Sequence, residues 1–186
     1  MSNNLIVGFS GNISRPSSTR RFVETVTETL AQRSGLQYVV FDVEDLGESL
    51  AAARSVADLN PAARKVIRTI IESEALVIGS PTYKGSYTGL FKHVIDLLDP
   101  SDLRGKPVVL TATGGGDRHS LVVEHQLRPL FAFFEAFVVP TAIYASGRDF
   151  IDGAPSPVIL TRVSQALDEA SLLISARSLS TSIAAE

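Results

Sequence analysis

Five short apolar runs punctuate the chain, at residues 5–10, 36–43, 75–79, 107–111 and 138–144. The first, Leu5-Ile-Val-Gly-Phe-Ser10, is almost continuously apolar and stops in Gly, Asn and Ser, as a strand buried on both faces would. Between the runs, apolar residues recur three and four apart over residues 19–33, 62–73, 88–99, 118–137 and 158–177, which predicts five amphipathic helices.

Strands alternating with helices predict an α/β fold in which helices cover both faces of a parallel sheet. Five strands favour a flavodoxin-like three-layer sandwich of order 2-1-3-4-5 over a six-stranded dinucleotide fold. A chain of 186 residues suits one domain, expected over residues 1–177, with a small polar tail at 178–186 that frays. Residues 44–61 read as a surface connection with one weak helix at most, serving as a lid or a plain loop.

Composition narrows the chemistry. The absence of cysteine excludes disulfides, thiolate nucleophiles and cysteine-held zinc or iron–sulfur groups, and is compatible with a reducing cytoplasm. With 17 Lys and Arg against 20 Asp and Glu, no basic stripe offers itself to nucleic acid. The run at residues 5–9 is too short for a signal-peptide core. Residues 130–145, broken by Glu135 and Pro140, fall short of the roughly 20 apolar residues a membrane span needs, so a soluble cytoplasmic protein is expected. His93, His119 and His125 form no recognisable metal site, and His93 is expected on a helix surface or an interface. No serine lies in a G-x-S-x-G elbow.

In the expected sheet, a ligand binds beyond the carboxyl ends of the strands where the order reverses, and three unusual loops fall there. Residues 10–19 place five hydroxyls and Arg15 before a helix, which suits a terminal phosphate, although helix capping alone would use one or two hydroxyls. Residues 79–89 bring Tyr83, Lys84 and Tyr87, which suit a planar heterocycle or else form a surface turn. Residues 111–117 carry Gly114, Gly115 and Gly116, which either point N–H donors at the negative pyrimidine end of a reduced flavin or make a flexible connector.

Three ordered motifs carry a resemblance running from about Leu5 to Tyr144: S-G-N-x-S-R-P-S-S-T at 10–19, G-S-P-T-Y-K-G-S-Y-T-G-L-F-K at 79–92, and A-T-G-G-G-D-R-H-S-L-V-V-E-H-Q-L-R-P-L at 112–130. On these the chain resembles the NAD(P)H-dependent FMN reductases, especially the flavin reductase components of two-component alkanesulfonate and methanesulfonate monooxygenase systems. It departs from the alkanesulfonate pattern in carrying His125 where those reductases typically have tyrosine.

The resemblance implies an enzyme, commonly a tetramer, that reduces FMN with NADH or NADPH and passes reduced flavin to a monooxygenase. It places the FMN phosphate at Ser10, Arg15, Ser17, Ser18 and Thr19. Pro81, Thr82, Tyr83, Lys84, Gly85 and Ser86 would border the ring, and Thr113, Gly114, Gly115 and Gly116 would meet its polar edge. Hydride passes to flavin N5, so no protein nucleophile or metal is required. An FMN-retaining quinone or azo reductase and a flavodoxin-type electron carrier stay as alternatives, and the choice between NADH and NADPH stays open. Four phenylalanines in residues 130–137 imply that part of this helix meets another subunit, the alternative being a fully buried helix. Pro129 withholds an N–H inside the same helix, which predicts a kink or π-bulge near residues 123–126. By resemblance such a bulge lies at a tetramer interface near the flavin, so His125 would project toward a neighbour and influence flavin exchange.

Overall fold

In the computed structural model, which describes residues 4–183, β1 (Leu5–Ser10), β2 (Gln37–Asp42), β3 (Ala75–Pro81) and β4 (Pro107–Gly114) lie parallel in the order β2-β1-β3-β4. Side-chain alternation builds the layers. Val7, Phe9, Leu76, Ile78, Val108 and Leu110 are buried on one face, against α2 (Pro61–Glu72), α3 (Gly89–Asp96) and α4 (Arg128–Phe133). Ile6, Val77 and Val109 are buried on the other, against α1 (Ser18–Ser34) and α5 (Pro157–Ile183). The result is the flavodoxin-like three-layer sandwich the hydrophobic pattern predicts.

The fifth strand differs from the single run expected at 138–144. It is two pieces, β5 (Phe137–Val138) and β6 (Ile143–Ser146), both parallel to β4. The Val139 N–H still donates to the Val108 carbonyl (3.0 Å), but Pro140 has no N–H to give the ladder, and the rest of the backbone between the pieces bonds side chains. Arg128 donates to the carbonyls of Val139 (3.0 Å) and Pro140 (2.9 Å), Arg162 donates to that of Ala142 (2.6 Å), and the Thr141 N–H donates to Glu169 (2.8 Å).

The helix expected over 118–137 is also broken. It opens in a short 3-10 turn at Asp117–His119, passes through a π-helical turn at Val123–Leu127, and continues as α4 only to Phe133. The Arg128 N–H reaches the carbonyl of Val123, five residues back, and Pro129 falls in the first turn of α4, where an N–H is least missed. This is the bulge that the proline predicts.

Residues 44–61 are a largely exposed connection, as expected, but one anchored in the core rather than a plain loop or lid. They form three 3-10 turns, at Val43–Leu46, Glu48–Ala52 and Val56–Asp58, with Leu46, Leu50, Ala53 and Leu59 buried in the core. His93, half-buried rather than on an open helix surface, makes a 2.9 Å hydrogen bond to the Leu50 carbonyl. The last helix continues to Ile183, into the segment expected to fray, and 184–186 lie outside the described residues.

Among the described residues no helix is long and apolar enough to cross a membrane. At the amino end of β4, Lys106 is 2% exposed and its ammonium donates to the carbonyls of Ile71 (3.0 Å) and Ser73 at the end of α2. Burial lowers its pKa to about 8.

Candidate functional site

At the carboxyl ends of β1, β3, β4 and β6 lies a cleft of about 470 Å³, walled by the amino end of α1 and by the hairpin of β7 (Phe150–Ile151) and β8 (Ala154–Pro155). That volume is typical of small-molecule sites, about 300–1,000 Å³. Ser17 caps α1, its hydroxyl accepting the Arg20 N–H at 3.2 Å, and the first turn of this 17-residue helix holds no acidic residue. Free N–H groups and the positive end of the helix dipole therefore face the cleft.

The three loops are tied to one another. Thr19 and Thr113 hydroxyls lie 2.6 Å apart, the Gly11 N–H donates to Gly79 (2.7 Å), and the Thr82 N–H donates to Thr113 (2.7 Å). The Thr88 hydroxyl caps α3 and also donates to the Gly11 carbonyl at 2.6 Å. Gly114 is required by close approach, since a Cβ there would overlap the Tyr144 hydroxyl. That hydroxyl donates to the Gly116 carbonyl (2.7 Å) and so fixes the glycine loop, while burial raises its pKa.

Of the residues singled out by sequence, Ser17, Ser18, Thr19, Pro81, Thr82, Tyr83, Thr113, Gly114 and Gly115 line the cleft. Ser10, Arg15, Lys84, Gly85, Ser86 and Gly116 do not. Ser10 is fully buried. Lys84 and Gly85, both at positive φ (53° and 85°), form the tip of a tight turn between Tyr83 and Ser86. The Ser86 hydroxyl donates instead to Gln126 of the π-turn, at 3.1 Å.

Arg15 turns away onto Asp42, with hydrogen bonds of 2.8 and 2.7 Å, and onto Asp45 at 2.7 Å. Asp42, fully buried at the end of β2, also accepts from Asn12 (3.1 Å) and pairs with Arg20 (3.0 Å). Desolvation pushes the Asp42 pKa up, but the bonds from Arg15 and Asn12 and the charges of Arg15 and Arg20 outweigh it and hold the carboxyl below its ordinary value. Arg15 therefore braces the loop through Asp42.

Sequence reasoning missed Asn12, Arg21, Ser146, Phe150 and Gly153, all of which line the cleft. Asn12 lies inside the quoted first motif, whereas the hairpin residues carry no local signal of their own. Two buried polar atoms of the cleft wall, Asn12 Oδ1 and Thr82 Oγ1, have no hydrogen-bond partner among the described residues. These orphaned atoms, the anion-seeking end of α1 and the flat Tyr83 fit a phosphorylated aromatic ligand with hydroxyls such as FMN. Among the described residues no cluster of three or more His, Cys, Asp or Glu could hold a metal ion.

Residues 5–150 match the NADPH-dependent FMN reductase family. The chain belongs to that family. It is 39% identical to the NADH-dependent FMN reductase SfnF of Pseudomonas putida, over 89% of this chain and 90% of that one. It is 41% identical to the FMN reductase (NADPH) of Pseudomonas aeruginosa, over 78% of each. Among solved structures it is similar to an oxidoreductase from Corynebacterium diphtheriae, with 32% identity, a TM-score of 0.82 and coverage of 94% and 98% of the two chains. This FMN reductase is thus an oxidoreductase that acts on FMN and a nicotinamide nucleotide.

Proposed function

We propose that this cleft is the FMN site, that FMN is exchanged there as a substrate, and that the reduced flavin serves a separate flavin-dependent monooxygenase in the cytoplasm. The observation that carries the reading is the joining of Thr19, at the amino end of α1, to Thr113, beside the glycine loop. One ligand can then meet phosphate-binding and ring-binding groups together. Ser17, Ser18 and the α1 N–H groups hold the phosphate, and Asn12 and Thr82 offer their orphaned oxygens to ribityl hydroxyls or ring N–H. Tyr83 borders the ring, and the loop at Gly114 and Gly115 faces its polar edge. When bound, FMN accepts a hydride from the nicotinamide at N5; the chain orients the two and supplies no nucleophile.

The α4 surface points to an assembly of several copies. Phe133 and Phe137 are 67% and 57% exposed, whereas Phe131 and Phe134 are buried in the core. Phe133, with Pro129, Leu130 and His125 beside it, gives the α4 surface an apolar face for a second copy of the chain.

Flavin content after gel filtration tests exchange. The expected result is a largely colourless protein that binds added FMN reversibly. Stoichiometric flavin surviving the column favours instead a reductase that retains FMN and passes electrons to quinones or azo compounds.

A further inference from the structure

Arg21 is the one charged side chain among the described residues lining the cleft. Its guanidinium has no hydrogen bond or ion pair among those residues, unlike its neighbours. Arg15 is held by Asp42 and Asp45, and Arg20 by Asp42 and Glu24. Arg21 follows Ser17 by four residues on α1, which puts both on the same face of the helix and on the same side of the cleft. Across the mouth stands the β7–β8 hairpin, where Gly153, at φ 80°, lies against the guanidinium; a Cβ there would sit 3.4 Å from the Arg21 nitrogen Nη1. The cleft also has a polar wall apart from this helix end: Asn12, 3% exposed, lines it, and its buried Oδ1 has no hydrogen-bond partner among the described residues.

A phosphate monoester carries a charge of about −1.5 to −2 at neutral pH. Serine hydroxyls and helix N–H groups answer its oxygens with neutral donors, and the helix dipole supplies only about half a charge. A free arginine at the same cleft supplies the missing cation and a planar fork that fits two phosphate oxygens.

Resting on the reading of the cleft as the FMN site, we infer that Arg21, with the β7–β8 hairpin at its back, is the cation that recognises the flavin phosphate and makes the enzyme prefer FMN to riboflavin. Arg15, placed in that role by the sequence motif, instead braces the loop from behind. The hairpin is thereby part of the flavin site: Gly153 lies against the guanidinium and limits where it can swing.

The test measures FMN and riboflavin affinities by quenching of flavin fluorescence, for the wild-type chain, Arg21→Ala and Arg21→Lys, with the variants' folding checked by circular dichroism. Arg21→Ala is expected to weaken FMN by roughly ten- to hundredfold, the usual effect of losing a charge-assisted bond, and to leave riboflavin within about twofold. Arg21→Lys, which keeps the charge but loses the fork, is expected to fall between wild type and Arg21→Ala. Unchanged FMN affinity in Arg21→Ala overturns the inference, as does equal weakening of both flavins. So does a rise in the KM for NADPH with FMN binding intact, which would assign Arg21 to the nicotinamide nucleotide. A wild-type chain that binds neither flavin would instead overturn the reading of the cleft itself, so the two failures are distinguishable.

Discussion

Asp42 shows how much of the site depends on a side chain outside the cleft. It is buried at the end of β2 and gathers Asn12, Arg15 and Arg20, so the first loop is anchored by one carboxylate. Asp42→Asn keeps the shape but leaves two guanidinium groups short of their counter-charge. Arg15 is nearly half exposed and keeps Asp45, which softens the loss, so the expected destabilisation is on the order of 2 kcal/mol by chemical denaturation. The pH dependence has a definite sign. Because the folded carboxyl is more acidic than the unfolded one, its contribution is fully present above about pH 4 and is lost as pH falls through its lower folded value. Wild type should therefore lose stability in acid more steeply than Asp42→Asn; parallel acid profiles would remove Asp42 from this role. At this scale the sequence was legible in composition and silent on direction. The hydroxyls of 17–19 predict an anion site, yet nothing in the string S-R-P-S-S-T-R-R says that the first arginine turns to Asp42 while the last lines the cleft. Pairing with a residue on the next strand decides it. Lys106 was hidden for a similar reason, since a lysine becomes a buried cap only when the end of a distant helix comes to it.

Among the elements, those with a clean period were readable, and those whose backbone bonding is interrupted were readable only where the interruption had a local cause. Pro129 is such a cause, and the π-turn at Val123–Leu127 follows from it. Pro140 is another, but the two-piece fifth strand also depends on Arg128, Glu169 and Arg162 reaching in from elsewhere. The buried turns of residues 44–61 escaped because 3-10 segments have no long period to detect. The π-turn connects the loop after β3, which carries the cleft residues Thr82 and Tyr83, to the apolar surface, since Gln126 accepts the Ser86 hydroxyl while exposed His125 borders the apolar groove of Tyr87, Leu130 and Phe133. Deleting His125 should close the turn to ordinary α geometry, break the Ser86 bond and withdraw part of the groove. The expected outcome is a smaller particle by light scattering at micromolar concentration together with altered FMN turnover. An unchanged mass and unchanged turnover would leave the π-turn a structural bend.

For the whole molecule, the parallel sheet dictated the plan. Strands buried on both faces leave ligand chemistry to the loops at their carboxyl ends, and here those loops bring hydroxyls, a tyrosine and glycines to one cleft. The fold was legible because every core strand reads as apolar, and the general place of the site followed from topology. The hairpin at 150–155 was not foreseen as part of that site because its contribution comes from closing over α1. The central claim is that this cleft reduces free FMN at the expense of a nicotinamide nucleotide. Steady-state oxidation of NADH and NADPH with FMN as the varied acceptor, beside a quinone acceptor, tests it most directly. Oxidation is expected to saturate with added FMN and to exceed the rate with quinone; oxidation that ignores added FMN, or that proceeds only with quinone, overturns the reading of the cleft as a site for free FMN.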